Sequence, residues 1–202
     1  MKHRRKPGSF SFRAVWGTPA FLFLTAVFLC GAAAGSLTGL RSAAIEGKLV
    51  TELADSVLAI AGEASLDRLL LSSFLPALGW PMAALLCGAL RPHSLFLSAL
   101  TAARGFLFAF AIGAMLGAWS TAGIARSALS CAVSGVCAIP ALLAAATAAF
   151  QAASEQSARR AGYLYALGRY RGALAAAFTL SMLGGALRVI AMLTAHRLCP
   201  GV

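Results

Sequence analysis

Residues Val15 to Leu40 read VWGTPAFLFLTAVFLCGAAAGSLTGL, and no charged side chain interrupts the run. A helix needs about 20 consecutive apolar residues to cross a hydrocarbon core of about 30 Å, so this stretch is long enough to span. Ahead of it stand Lys2, Arg4, Arg5, Lys6 and Arg13. A basic start before an apolar run also describes a secretory signal, and Ala32-Ala33-Ala34 would suit cleavage. The run continues past those alanines to Leu40, so it reads as an uncleaved first transmembrane helix. Within it Gly31, Gly35 and Gly39 recur every four residues. That spacing puts them on one helix face, where another backbone can approach closely.

The rest of the chain repeats the pattern. Of 202 residues, 60% are hydrophobic and 11% charged, against about 25% charged in an ordinary soluble domain. A chain this short would leave much of that apolar surface in water, so lipid is the better solvent. The net charge is +11. The basic residues flank apolar runs instead of forming one basic face with interleaved aromatics, which excludes nucleic acid as the expected partner. Further spans are expected at about 69–90, 94–119, 127–150 and 172–195. The second holds Pro76, Gly79 and Pro81, and Pro81 is expected to kink or break its helix. The third holds Arg104, Gly105, Gly113 and Gly117, the fourth Pro140, and the fifth Gly184, Gly185 and Arg188. Gly113 and Gly117 are further candidates for helix packing. The fold class is therefore all-α: one membrane bundle of about five helices over 15–195, with a basic N-terminus at 1–14 and a short tail at 196–202. Polar turns are expected at 91–93 and 120–126. The basic segment 151–171, with Tyr163, Tyr165 and Tyr170, suits a membrane interface.

Five of the six acidic residues fall in the first connection, 41–68: Glu46, Glu52, Asp55, Glu63 and Asp67. Ile45, Leu49, Leu53 and Val57 follow there at a spacing of four. The connection reads as an amphipathic helix that lies on the bilayer or packs on a partner. Glu46, Glu52 and Asp55 on its polar side are the candidate partner contacts. The basic residues give the orientation. With the N-terminus in the cytoplasm, ten lie in cytoplasmic segments: Lys2, Arg4, Arg5, Lys6, Arg13, Arg91, Arg159, Arg160, Arg169 and Arg171. Five lie outside: Arg41, Lys48, Arg68, Arg126 and Arg197. That bias predicts a cell-membrane protein with the N-terminus inside, the C-terminus outside, and the acidic connection facing outward.

Arg104 and Arg188 are the charges placed within spans. Each costs at least about 2.5–3.5 kcal/mol at mid-bilayer on insertion scales. Either they snorkel to an interface or they find polar partners, and no acid sits in a span to pair with them. Catalytic groups do not assemble in the sequence. His3, His93 and His196 are far apart, and Cys30, Cys87, Cys131, Cys137 and Cys199 form no CxxC pair. The expectation is a non-enzyme without metal or cofactor. The rival class is a small permease, with kinked spans and an anion path near Arg104 and Arg188.

This order of elements resembles the stage II sporulation protein M family. The shared features are a basic N-terminus, one span, an outward polar helical connection, then closely spaced spans. The most specific stretch is Ala102 to Gly117, AARGFLFAFAIGAMLG. There Arg104-Gly105 followed by Gly113 and Gly117 is similar to the family's basic residue, glycine and glycine-punctuated apolar run. Pro140 in Cys137-Ala138-Ile139-Pro140 matches a proline of the next span. Ala132-Val133-Ser134-Gly135 departs from the family, which often carries Leu-Pro and a polar residue there. The resemblance covers about 15–195 by architecture. It implies a scaffold in the mother-cell membrane that anchors peptidoglycan hydrolases, the stage II sporulation proteins D and P, during engulfment. Its expected partners are those enzymes and membrane lipid.

Overall fold

The computed structural model describes residues 16–45, 66–117, 122–159 and 162–198. They are helical, with no strand among them. The helices are α1 Pro19–Ile45, α2 Leu66–Ala89, α3 His93–Gly117, α4 Ala122–Arg159, α5 Tyr163–Gly168 and α6 Arg171–Leu198. Four stretches are long and apolar enough to cross a membrane: Pro19–Arg41, His93–Ala114, Ala132–Gln156 and Arg171–Ala191. Ser73–Ala89 in α2 is a shorter apolar stretch. The expected spans map onto α1, α2, α3, α4 and α6, with shifted ends. Helix α1 runs on through Arg41 to Ile45, and α4 runs past Phe150 to Arg159. Arg126 falls inside α4, so the turn expected at 120–126 is shorter than the sequence suggested. The amphipathic connection, with Glu46, Glu52 and Asp55, lies outside the described residues.

Helix α4 is the hub. It contacts each of the other five helices, and Ala141 through Ala149 is buried without a break. That run, ALLAAATAA, is mostly alanine, so neighbours on every side can come close. One core cluster joins Phe21, Leu24 and Phe28 of α1, Ala84 of α2 and Leu97 of α3 to Leu142, Leu143, Ala146 and Ala149 of α4. The outward faces carry exposed leucines such as Leu22, Leu29 and Leu37 on α1 and Leu71, Leu75 and Leu86 on α2. An apolar belt of that extent fits lipid.

The close contacts give each helix a direction. A Cβ placed on Gly31, Gly35 or Gly39 of α1 would strike the backbone carbonyl of Ala102, Phe106 or Phe110 of α3, respectively. Both numbers rise by four, so α1 and α3 run parallel. Helices α2 and α3 form a hairpin through the turn at 90–92, with Arg104 reaching Trp80. Gly88 of α2 meets Ala149 of α4, while Ser73 and Ser134 share a pocket, so α2 and α4 are parallel. Ala177 of α6 clusters with Ala144 and Ala145, and Gly184 meets Ser134 and Cys137, so α4 and α6 are antiparallel. The described helices therefore pass through the bundle five times in alternating directions. The described ends emerge on opposite faces.

Of the kink or break expected at Pro81, the break does not occur. Pro81 has no N–H for the carbonyl of Ala77, yet α2 is continuous through both of its prolines. The reason lies on α6: the Ser181 hydroxyl, fully buried, donates to the Ala77 carbonyl. A neighbouring side chain re-satisfies the backbone group that proline freed.

Candidate functional site

Two arrangements stand out. The first is the α1–α3 seam. On α3, a Cβ on Gly105 would overlap the Phe28 carbonyl, and one on Gly113 would lie 3.0 Å from the Ser36 carbonyl oxygen. Glycines on both helices thus face backbone of the other, over about three helical turns. Gly117 ends α3, and its surroundings lie outside the described residues. Gly105 sits within this seam, so the stretch that carries the resemblance also packs α3 on α1.

The second arrangement is a pocket between α2, α3, α4 and α6. It has a volume of about 30 Å³, and its lining includes Ser73, Arg104, Ser134, Gly184, Gly185 and Arg188. The sequence places Arg104 and Arg188 84 positions apart; the fold brings both to one cavity. Each has a local reason to be there. Arg104 rises from mid-α3 and stacks its guanidinium over the Trp80 ring, 4.9 Å from the centroid. The ring's negative face stabilises that cation. Gly184 and Gly185 let α6 close in: a Cβ on Gly185 would stand 2.8 Å from the Phe74 ring. That approach carries Arg188, one turn further on, to the cavity. Ser73 is 2% exposed, and its hydroxyl has no hydrogen-bond partner among the described residues. Other buried hydroxyls have partners: Thr101 and Thr147 bond back to Leu97 and Leu143 of their own helices, and Ser181 donates to Ala77 of α2. None of the described lining residues is acidic.

Sequence reading singled out the two arginines and the Gly184-Gly185 pair, but missed Ser73 and Ser134. A signal existed for Ser73: it stands three residues before Pro76, at the start of the helix's apolar stretch. Ser134 lies in the segment that departs from the family pattern, and nothing local marked it.

At the opposite end of the bundle, Glu155 of α4 accepts from Arg169 at 2.9 Å and from the Tyr170 hydroxyl at 2.8 Å. Tyr163 of α5 donates to the Leu85 carbonyl at 2.8 Å. Burial, and then the neighbouring Cys87, push the Tyr163 phenol up to about 12. No group of three or more His, Cys, Asp or Glu side chains that could hold a metal gathers among the described residues. Compared with known protein families, curated proteins and solved structures, the chain has no match.

Proposed function

We infer that the chain is a non-catalytic scaffold of the cell membrane, as its resemblance to stage II sporulation protein M implies. It anchors peptidoglycan hydrolases of the stage II sporulation D and P type for septal wall remodelling and engulfment during endospore formation. The N-terminus faces the cytoplasm and the 46–65 connection faces outward, with Glu46, Glu52 and Asp55 as docking residues. One observation carries this reading. The stretch on which the resemblance rests, Ala102 to Gly117, makes the backbone-to-backbone seam with α1. Its glycine spacing serves helix packing, which is what a rigid platform needs.

The meeting of Arg104 and Arg188 in one cavity favours the permease reading. Its volume weighs against an organic solute: about 30 Å³ is far below the several hundred Å³ of pockets for small organic molecules. The test is deletion in the native host followed by microscopy of sporulating cells, with co-purification of wall hydrolases on the tagged chain. Stalled engulfment and a hydrolase on the chain are expected. Normal engulfment sinks the scaffold reading.

A further inference from the structure

Arg188 reaches a cavity between α2, α3, α4 and α6 that also holds Arg104, and no described lining residue carries a compensating carboxylate. The Arg188 guanidinium carries a desolvation cost that a nearby negative charge would offset. Ser73 also lines this cavity, and its buried hydroxyl has no hydrogen-bond partner among the described residues. A buried hydroxyl without a partner is unfavourable unless a ligand completes it. Two planar guanidinium forks and a hydroxyl donor suit a tetrahedral oxyanion, whose several oxygens accept bidentate bonds. The cavity of about 30 Å³ admits an oxygen-bearing headgroup edge but not a whole organic solute.

We propose that Arg188, Arg104 and Ser73 form a binding site for a phosphate-type oxyanion. Two sources share that chemistry, the phosphate of a phospholipid headgroup and free inorganic phosphate. A scaffold needs no such site, so failure here leaves the scaffold reading untouched.

The test uses the full chain, purified in detergent, with thermal stability read against three probes. These are short-chain phosphatidylglycerol, diacylglycerol of the same chain length, and inorganic phosphate. Phosphatidylglycerol or inorganic phosphate should raise the melting temperature and diacylglycerol should not. The probe that acts identifies the source. Arg188→Gln should weaken the apparent affinity by about tenfold or more, the size of a lost charge-assisted bond. Ser73→Ala should weaken it several-fold without destabilising the probe-free protein, because it deletes a hydroxyl with no partner among the described residues. Arg171→Gln, an exposed residue at the other end of the bundle, should bind as wild type. Ser73→Ala keeps the test alive if Arg188→Gln does not fold. Loss in either pocket variant with Arg171→Gln intact upholds the site. The site is overturned if no phosphate probe acts or diacylglycerol acts equally. Pocket variants that bind as wild type, or equal loss in all three variants, also overturn it.

Discussion

Pro81 deprives the Ala77 carbonyl of its helical donor, and Ser181, fully buried on another helix, supplies one. Removing that hydroxyl leaves a carbonyl with no partner in an apolar surround, which costs about 1–3 kcal/mol. Ser181→Ala should therefore lower the unfolding free energy by that amount, read as a lower midpoint in a denaturant titration of the detergent-solubilised protein. Thr179→Ala, two residues away on an exposed face and bonded to its own helix at Ala176, should change little. Neither effect is legible in the sequence. A proline in an apolar run announces a freed carbonyl, but which distant hydroxyl answers it depends on how α2 and α6 meet. Tyr163 offers a second prediction at this scale. It lies in α5, outside the four span-length stretches, and its folded value of about 12 exceeds the ordinary 10.0. As pH rises above 10.0 the unfolded phenol loses its proton first, so the unfolded state binds fewer protons and stability falls through that window. Below pH 10.0 the group adds no pH dependence. A pH series of melting temperatures should show the alkaline fall, and Tyr163→Phe should remove Tyr163's share of it at a cost of about 1 kcal/mol for the lost bond to Leu85.

Glycine spacing is the feature that sequence conveyed best at the level of helices. Gly31, Gly35 and Gly39 had to share a face because a helix turns every 3.6 residues. Their partner was not derivable, since several apolar helices compete for such a face. The structure gives α3, with the Phe106 carbonyl directly over Gly35. Backbone cannot move aside as a side chain end can, so Gly35→Leu should force α1 from α3. The expected loss is about 1–3 kcal/mol or more, the range for overpacked cores, seen as a lower melting temperature. Gly79 of α2 is the matched control. It also lies within an apolar helix, but a Cβ there would meet nothing within 4 Å. Gly79→Leu should leave the melting temperature near wild type. Equal damage from both substitutions would mean that the α1–α3 contact is not what Gly35 serves. The two outcomes separate glycine as a packing device from glycine as a common residue of membrane helices, a distinction that composition alone does not make. Arg104 and Arg188 show the same limit for charges: the sequence marked both as costly, while their meeting depends on the close approach of α6 at Gly184 and Gly185.

The described helices make five passes in alternating directions, and α2 is the pass that hydropathy leaves weakest. Its apolar stretch, Ser73–Ala89, is roughly 25 Å long at 1.5 Å per residue, somewhat short of the ~30 Å hydrocarbon core. Mismatch of that size costs only fractions of a kcal/mol per Å. The parallel run of α1 and α3 imposes a far stronger constraint, because a chain that enters twice in one direction has to return between. Three passes, α2, α3 and α4, therefore separate residue 52 from residue 160, and the two should lie on opposite sides of the membrane. If the excess of basic residues near α1's start and α4's end sets the proposed orientation, residue 160 should be cytoplasmic. In a chain with its five native cysteines replaced by alanine, a membrane-impermeant maleimide should label Glu52→Cys in intact cells. Arg160→Cys should react only after lysis. Reversed labelling would invert the orientation while keeping five passes. Labelling of both from outside would mean that α2 does not cross, and the parallel pairing of α1 with α3 would then have to form within a re-entrant arrangement.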